Sequence, residues 1–407
     1  MTASSPTEGT SDGSLGFTIP TDYIAGYQQA RQANKPVADN YLAHHLIADP
    51  EADAVIAEFG DMDRAQSAML IRAVMDDPGG SVLKNAPASV QRLVGGLDTP
   101  PDWVNYDEFL PGSRMFLRNA RIILAAFVGG TLVEGFTTNI SKSFFITGRV
   151  RDQGVRRLMQ NNRHMLESFL PGGLERTGDG LKLSVRLRLV HAQVRKLLEE
   201  SDEWDTEAWG VPLSSAHLGM AIAGFSARLL YHMKRLGAKF SDEERQSFMA
   251  VWRYTGYLMG IPETILFKNE EEALELYRIA VMCEPNPSQE GVVMAHALIN
   301  SAPLVVGIQD PKERQKLASY VFRISRAVIG ADMADRLRYP KTPVFGVLPF
   351  FRFQAKYHNF LSRWLPRLTN QNNFAQFTGL LDAATVAETD IHYNMPDHVY
   401  SENSSPW

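Results

Sequence analysis

Cysteine is almost missing: one residue, Cys283, in 407. No intrachain disulfide can form, and no cysteine-based metal or iron–sulfur site. That usage fits a reducing compartment. Long apolar runs are missing too. The longest, residues 122–133, ends at Glu134 and falls well short of the ~20 residues that span a bilayer. Neither sign of charge dominates, with 41 Lys and Arg against 46 Asp and Glu and a net charge of −5. This argues against nucleic acid or an anionic membrane as the main partner. Residues 1–16 contain no Lys or Arg and lack the basic and apolar regions of a secretory signal, so a cytoplasmic location is expected. Strand-like alternation is scarce. There is no His-Glu-x-x-His, no carboxylate–histidine cluster at metal-ligand spacing, no glycine-rich phosphate loop after a strand and no Gly-x-Ser-x-Gly elbow.

What remains is an ordinary globular balance, 44% hydrophobic and 21% charged. Length alone suggests two or three domains. No internal stretch reads as a linker, however, so one large all-α domain is expected over residues 17–400, between disordered tails at 1–16 and 401–407. Pro/Gly clusters at 77–80, 99–101, 111–112, 171–173 and 285–287 separate helical stretches. Helices are expected over 50–74, 114–136, 150–170, 182–200, 241–260, 289–300, 311–329 and 350–365. The stretch 114–136 is apolar nearly all round and should be central. Globin-like packings or large bundles are the nearest architectures.

Most of the ten histidines sit near helix ends or in tails. His191 lies mid-helix, with Leu187 and Val194 on its side at i−4 and i+3 and with Arg188 and Arg195 one turn away on either side. An imidazole in an apolar stripe suits haem iron. Arginines a turn away suit the two haem propionates. The same residues are also compatible with a core histidine bonded to a carbonyl and arginines on a solvated edge.

The stretch Arg188-Leu-Val-His191-Ala-Gln-Val-Arg195 resembles the haem-ligand helix of the latex-clearing-protein, or rubber oxygenase, family. Two further stretches carry the same resemblance. One is Trp209-Gly-Val-Pro-Leu-Ser214, leading into a helix with Gly224-Phe225-Ser226. The other is residues 251–263, with Trp252 and a Leu-Met-Gly-Ile end. Together they cover roughly residues 100–300. The resemblance implies a helical domain with a globin-like core around one haem b, whose iron His191 binds. It also implies cleavage of carbon–carbon double bonds in isoprenoid chains with O2, or action on prenyl chains.

The family's distal helix carries Arg-x-x-Lys-Thr. The same offset from His191 falls on Arg157, Gln160 and Asn161. The arginine matches, but the lysine that ligates resting iron is Gln160 and the threonine is Asn161. An amide is a poor iron ligand, so the expected iron is five-coordinate, water-bound or held by another side chain. His164 shares the helical face of Arg157, Gln160 and Asn161 and is a candidate distal group, or else a packing histidine. The family's distal carboxylate base has one counterpart, Glu134, although its spacing to Arg157 differs. A buried glutamate there would have a raised pKa and could move a proton; the alternative is a surface charge at a helix end. Lys142 could supply an amine, its default state being solvated. Phe144, Phe145 and Ile146 could line an apolar channel or simply fill the core. Trp252, Tyr254 and Tyr257 read as packing. The Phe-rich stretch 345–360 reads as closing off the core, with a membrane-surface helix as the alternative.

The expected function is a haem-b oxygenase that takes O2 and a small apolar alkene. Arg157 and Asn161 would be distal donors and Glu134 a proton carrier. A cleaving dioxygenase needs no external electrons, whereas a monooxygenase needs two from a redox partner. The alternatives are a non-catalytic haem carrier or gas sensor, and a helical interaction protein without cofactor.

Overall fold

A computed structural model describes residues 16–76, 79–147 and 154–364. Of the expected tails at 1–16 and 401–407, all but Gly16 lie outside it. Every regular element among the described residues is helical.

Polar caps start many of these helices. Asp49 accepts from the Ala52 amide ahead of Pro50–Gly60, with Pro50 in the first turn. Ser241 and Glu244 form a reciprocal capping box on Asp242–Leu258. Asn269, Ser288 and Asp310 cap Glu270–Cys283, Gln289–Val305 and Pro311–Ile329. Each cap satisfies an amide that has no partner within the helix. Apolar stripes then bury into one large core, where the rings of Phe116, Phe169 and Phe248 stack.

Two expected helices are broken. Residues 50–74 form two, Pro50–Gly60 and Arg64–Asp76. Residues 114–136 divide into the end of Leu110–Arg118, then Ala120–Ala126, a π-helical turn Phe127–Thr131 and a short end Leu132–Gly135. Asn119 makes the first break; its side chain bonds back to the Met115 carbonyl. A second π turn, Gly224–Arg228, joins Ser215–Ala223 to Leu229–Arg235 and packs against the first. Such insertions re-aim the side chains that follow them. No described helix is by itself long and apolar enough to cross a membrane; one pair, Tyr106–Arg118 with Ala120–Gly135, meets the test together but is bent by 84°.

Gly154–Phe169 and Asp179–Glu199 form a helical hairpin. Its turn needs glycine: a Cβ on Gly173 would lie 1.9 Å from the Glu167 carbonyl oxygen. Across the hairpin, His164 Nε2 is 2.8 Å from Ser184 Oγ. That contact sets the antiparallel register. It brings the backbone near residues 157–160 level with Arg188 and His191.

Candidate functional site

Leu187, Val190, Val194 and Leu198 enter a small apolar cluster of their own, with Ile140, Trp204, Leu213 and Met259. Phe144, Ile146 and Trp209 pack around it. His191 continues the 187–194–198 stripe and is 6% exposed. Thus the helical spacing places the imidazole beside an apolar cluster. Phe144 and Ile146 join this cluster, whereas Phe145 packs only on the main core.

Arg188 and Arg195 do not lie on a solvated edge; both are paired with carboxylates. Arg188 donates to Asp49 at 2.6 and 2.8 Å and to Glu51 at 2.7 Å. Arg195, 1% exposed, donates to Asp53 at 2.8 Å and to the Leu213 carbonyl at 3.0 Å. Asp49, Glu51 and Asp53 alternate at the start of Pro50–Gly60, where the helix dipole also favours acids. The two arginines fasten the His191 helix to this acidic end.

Of the expected distal residues, Gln160 and His164 are buried and Asn161 is half-buried. The Arg157 side chain lies outside the described residues. Burial pushes the His164 imidazole down to about 4, so it is neutral at ordinary pH. Its bond to Ser184 ties the two helices of the hairpin together.

Glu134 is buried, as one reading expected, but its pKa moves opposite to expectation. Burial alone would raise it. The charge and hydrogen bond of His232 and the Arg228 fork outweigh burial and hold the carboxyl well below the ordinary carboxylate range. Arg228 donates at 2.6 and 2.9 Å, His232 Nε2 lies at 3.0 Å and the Tyr277 hydroxyl donates at 3.0 Å. With its oxygens so committed, Glu134 is a poor proton acceptor. The partners lie some 100 to 140 residues away in the chain, so the sequence around Glu134 gave no sign of them.

Lys142 is not simply solvated. Its ammonium sits 4.3 Å from the Trp209 ring centre, beside the His191 cluster. Trp252 and Tyr254 are buried among aromatic rings, which supports their packing role. Residues 345–360 do not merely close the core. Val347 is buried, but Phe345 is 92% exposed and Phe350, Phe353 and Tyr357 are also exposed. The side chains from 358 onward lie outside the described residues.

A cleft of about 1470 Å³ lies elsewhere, lined by Asn34, Trp103, Arg253, Lys268, Glu272 and Leu276 among others. None of its lining residues comes from the His191 helix, and its charged walls suit an apolar chain poorly.

Reading the sequence by spacing also passed over two histidines near helix ends. His45 and His217 are buried side by side, next to Glu284. They come from three distant parts of the chain, and no local motif links them.

Comparison with known proteins agrees with the helical architecture. Rubber oxygenase from Streptomyces sp. (strain K30) is 22% identical over 182 residues, 44% of this chain; the aligned part is 42% of that relative's length. The solved structure of latex clearing protein in the closed state superposes with a TM-score of 0.62, covering 87% of this chain and 95% of that one at 16% identity, which shows a shared fold. The family described as ER-bound oxygenase mpaB/B'/Rubber oxygenase, catalytic domain, matches residues 114–355. That match takes in more than half of the chain, including the hairpin, the His191 cluster and the Glu134 network, and the chain therefore belongs to the family of mpaB-type and rubber-oxygenase catalytic domains.

Proposed function

We propose that this protein is a haem-b-dependent oxygenase in which His191 is the proximal iron ligand and the substrate is an apolar, isoprenoid-like alkene. The observation that carries this reading is the position of His191: buried, on a stripe of Leu187, Val194 and Leu198, inside an oxygenase-family domain. The donor set fits the group. An imidazole buried beside an apolar cluster is a suitable iron ligand, and the Arg188 and Arg195 ion pairs brace the helix that carries it.

Haem, when bound, supplies the O2 chemistry. The protein's part is to hold the imidazole, exclude water and receive an apolar chain. Phe144, Ile146, Trp209 and Met259 give the cluster a surface suited to an alkene. Gln160 replaces the amine expected from the resemblance, so no lysine from that helix competes for the iron. Cleavage of the alkene would break one carbon–carbon double bond and place one oxygen atom of O2 on each carbon, giving two carbonyls with no external electrons. Arg157 and Asn161 remain the candidate distal donors. Glu134 has a structural role in this reading.

The test is the absorption spectrum of the full chain, expressed with haem supplied, oxidised and then reduced under CO, for wild type and His191→Ala. A Soret band in wild type that is lost or shifted in a variant with unchanged helical circular dichroism is expected. Carbonyl products from a prenyl alkene should form only with O2. Absence of haem, or an unchanged spectrum in His191→Ala, overturns the reading.

A further inference from the structure

The His45–His217–Glu284 cluster lies outside everything used so far. His45 stands in a short 3-10 turn after Ile24–Ala43, His217 in the first turn of Ser215–Ala223, and Glu284 at the C-terminal end of Glu270–Cys283. Their ligand-capable atoms all lie within 4.8 Å of one another. The Glu284 Oε1 atom is 3.4 Å from His217 Nε2 and 3.9 Å from His45 Nε2. The two histidine side chains are 0% and 1% exposed, and that of Glu284 is 3% exposed.

Hydrogen bonding inside the cluster is uneven. His44, the preceding residue, is fully bonded: Nδ1 lies 2.6 Å from the Asn40 carbonyl and Nε2 2.8 Å from Thr264 Oγ1. Neither nitrogen of His45 has a hydrogen-bond partner. A neutral imidazole has one donor and one acceptor, and burying both unpaired is costly. Burial, with His217 beside it, also keeps His45 neutral. The ring is packed by Tyr23 at 4.1 Å, Tyr41 at 4.8 Å and His217 at 4.6 Å between centroids.

The surrounding groups look arranged around a cation at the centre. Ser214 Oγ, 3.3 Å from His217 Nδ1, orients that ring so that Nε2 faces Glu284. Tyr41 donates to Glu284 Oε1 at 2.6 Å, and the Asn139 amide donates to Oε2 at 3.0 Å. Such partners orient ligands at metal sites. The Tyr23 hydroxyl is hydrogen-bonded to His217 Nε2 at 3.2 Å, a contact that a metal ion on that nitrogen would replace. No Lys or Arg is hydrogen-bonded to or paired with Glu284 among the described residues, so its carboxylate has no fixed cation beside it.

We propose that His45, His217 and Glu284 bind one divalent first-row transition ion, of the Fe2+, Mn2+ or Zn2+ class, separate from any haem iron. Two imidazoles and a carboxylate suit these ions and none of the harder Ca2+ or Mg2+ type. Ligands ~2.1 Å from one ion lie roughly 3–3.4 Å from each other, so the 3.4 Å separation of Glu284 and His217 already fits and the wider ones must close. Cys283, next to Glu284, is buried, but its sulfur is not among the ligand atoms that come together here. The ion would join three segments of the chain at one buried point, and its enclosure suits a structural or electronic role better than hydrolysis, which needs an open water position.

The test uses the full chain expressed in medium supplemented with Co2+ and haem. Metal content is read by elemental analysis, haem by its pyridine haemochrome, and Co2+ coordination by visible d–d absorption. About one non-haem metal ion per chain is expected, with d–d bands characteristic of nitrogen and oxygen ligands. His45→Ala and Glu284→Gln should each lower metal content at least tenfold, whereas His191→Ala should leave it unchanged and affect only haem. Wild-type protein should also melt at a lower temperature after chelation and recover with added Zn2+ or Mn2+, a readout that needs no variant. Wild type without non-haem metal overturns the proposal, and so does metal that survives in both folded variants. Haem-free protein that still carries the second metal would overturn the proposed function while leaving this inference intact.

Discussion

The side chains of Glu134 and Glu284 are each 3% exposed, and their surroundings differ. Glu134 follows the first π turn, and Arg228, His232 and Tyr277 surround it, all three bonded to its oxygens. Glu284 ends a helix beside two imidazoles, receives two hydrogen bonds from Tyr41 and the Asn139 amide, and has no guanidinium or ammonium bonded to it. A buried carboxylate is tolerated when a charge compensates it and its lone pairs are used. The first site meets both conditions from within the chain. The second lacks the compensating charge and leaves both nitrogens of His45 without a partner, whereas the first leaves only Nδ1 of His232 so. Charge compensation from within the chain thus separates the structural network from the proposed ion site.

The largest expected effect tests the complete site. Glu134→Ala strands a buried arginine, a histidine and a tyrosine hydroxyl. Breaking a buried pair from one side costs about 3–5 kcal/mol, which denaturant unfolding at neutral pH measures. The pH dependence has a definite sign. An unfolded Glu134 takes up a proton near its ordinary 4.5, whereas the folded one stays ionised to lower pH. Below that value the unfolded state binds more protons, so the contribution is complete above it and is lost as pH falls. The variant should show a shallower loss of stability on acidification. Equal slopes in the two proteins would mean that Glu134 is not paired as described.

The next comparison sets one histidine against the other. His232→Leu removes a hydrogen bond to a buried charge and should cost roughly 1.5–3 kcal/mol. His45→Leu, measured in chelator, removes no hydrogen bond and trades an unpaired imidazole for an apolar group, so it should lie within about 1 kcal/mol of wild type. With metal present the order should change, because wild type then gains stability that His45→Leu cannot. Unfolding curves of both variants with and without chelator give all four values. A large loss for His45→Leu in chelator would show that the ring is satisfied without an ion.

These sites also show what could be read from the sequence and what could not. The helices at 241–260 and 311–329 were legible because Ser-Asp-Glu-Glu and Asp-Pro cap them and their apolar residues recur at helical spacing. The His191 stripe was legible for the same reason, and the family resemblance rested on residues that keep their local order. The π turns were not legible, since an extra residue in a turn leaves the apolar pattern of 114–136 intact. Nor were the partners of Arg188 and Arg195, because the acids of 49–53 lie about 140 residues earlier. The raised pKa expected for Glu134 failed on the same ground: burial was foreseen and its compensators were not. Arg228 and His232, four apart on an apolar helix, were the signal available, since polar side chains on a core-facing stripe need a partner there. The metal cluster had no such signal.

The smallest effect concerns how closely the complete site is packed. Gly130 lies in the π turn, and a Cβ there would come within 2.8 Å of His232 Cδ2 and 3.0 Å of Val328. Alanine is favoured over glycine in a helix by about 1 kcal/mol, so the substitution would stabilise if the ring could move. The ring is held by Glu134 at 3.0 Å, and overpacking of a fixed group costs about 1–3 kcal/mol. Gly130→Ala should therefore destabilise by about 1 kcal/mol. Gly135, five residues on, has nothing within 4 Å of the corresponding Cβ position, and Gly135→Ala should be neutral or stabilising by a few tenths of a kcal/mol. Combining Gly130→Ala with His232→Leu separates the two causes. If the clash with the held ring is what costs, the alanine becomes less harmful once the ring is gone, and the double variant is more stable than the two single losses predict. Strict additivity would assign the cost to Val328 instead, and the tight fit would then belong to the core rather than to the Glu134 network.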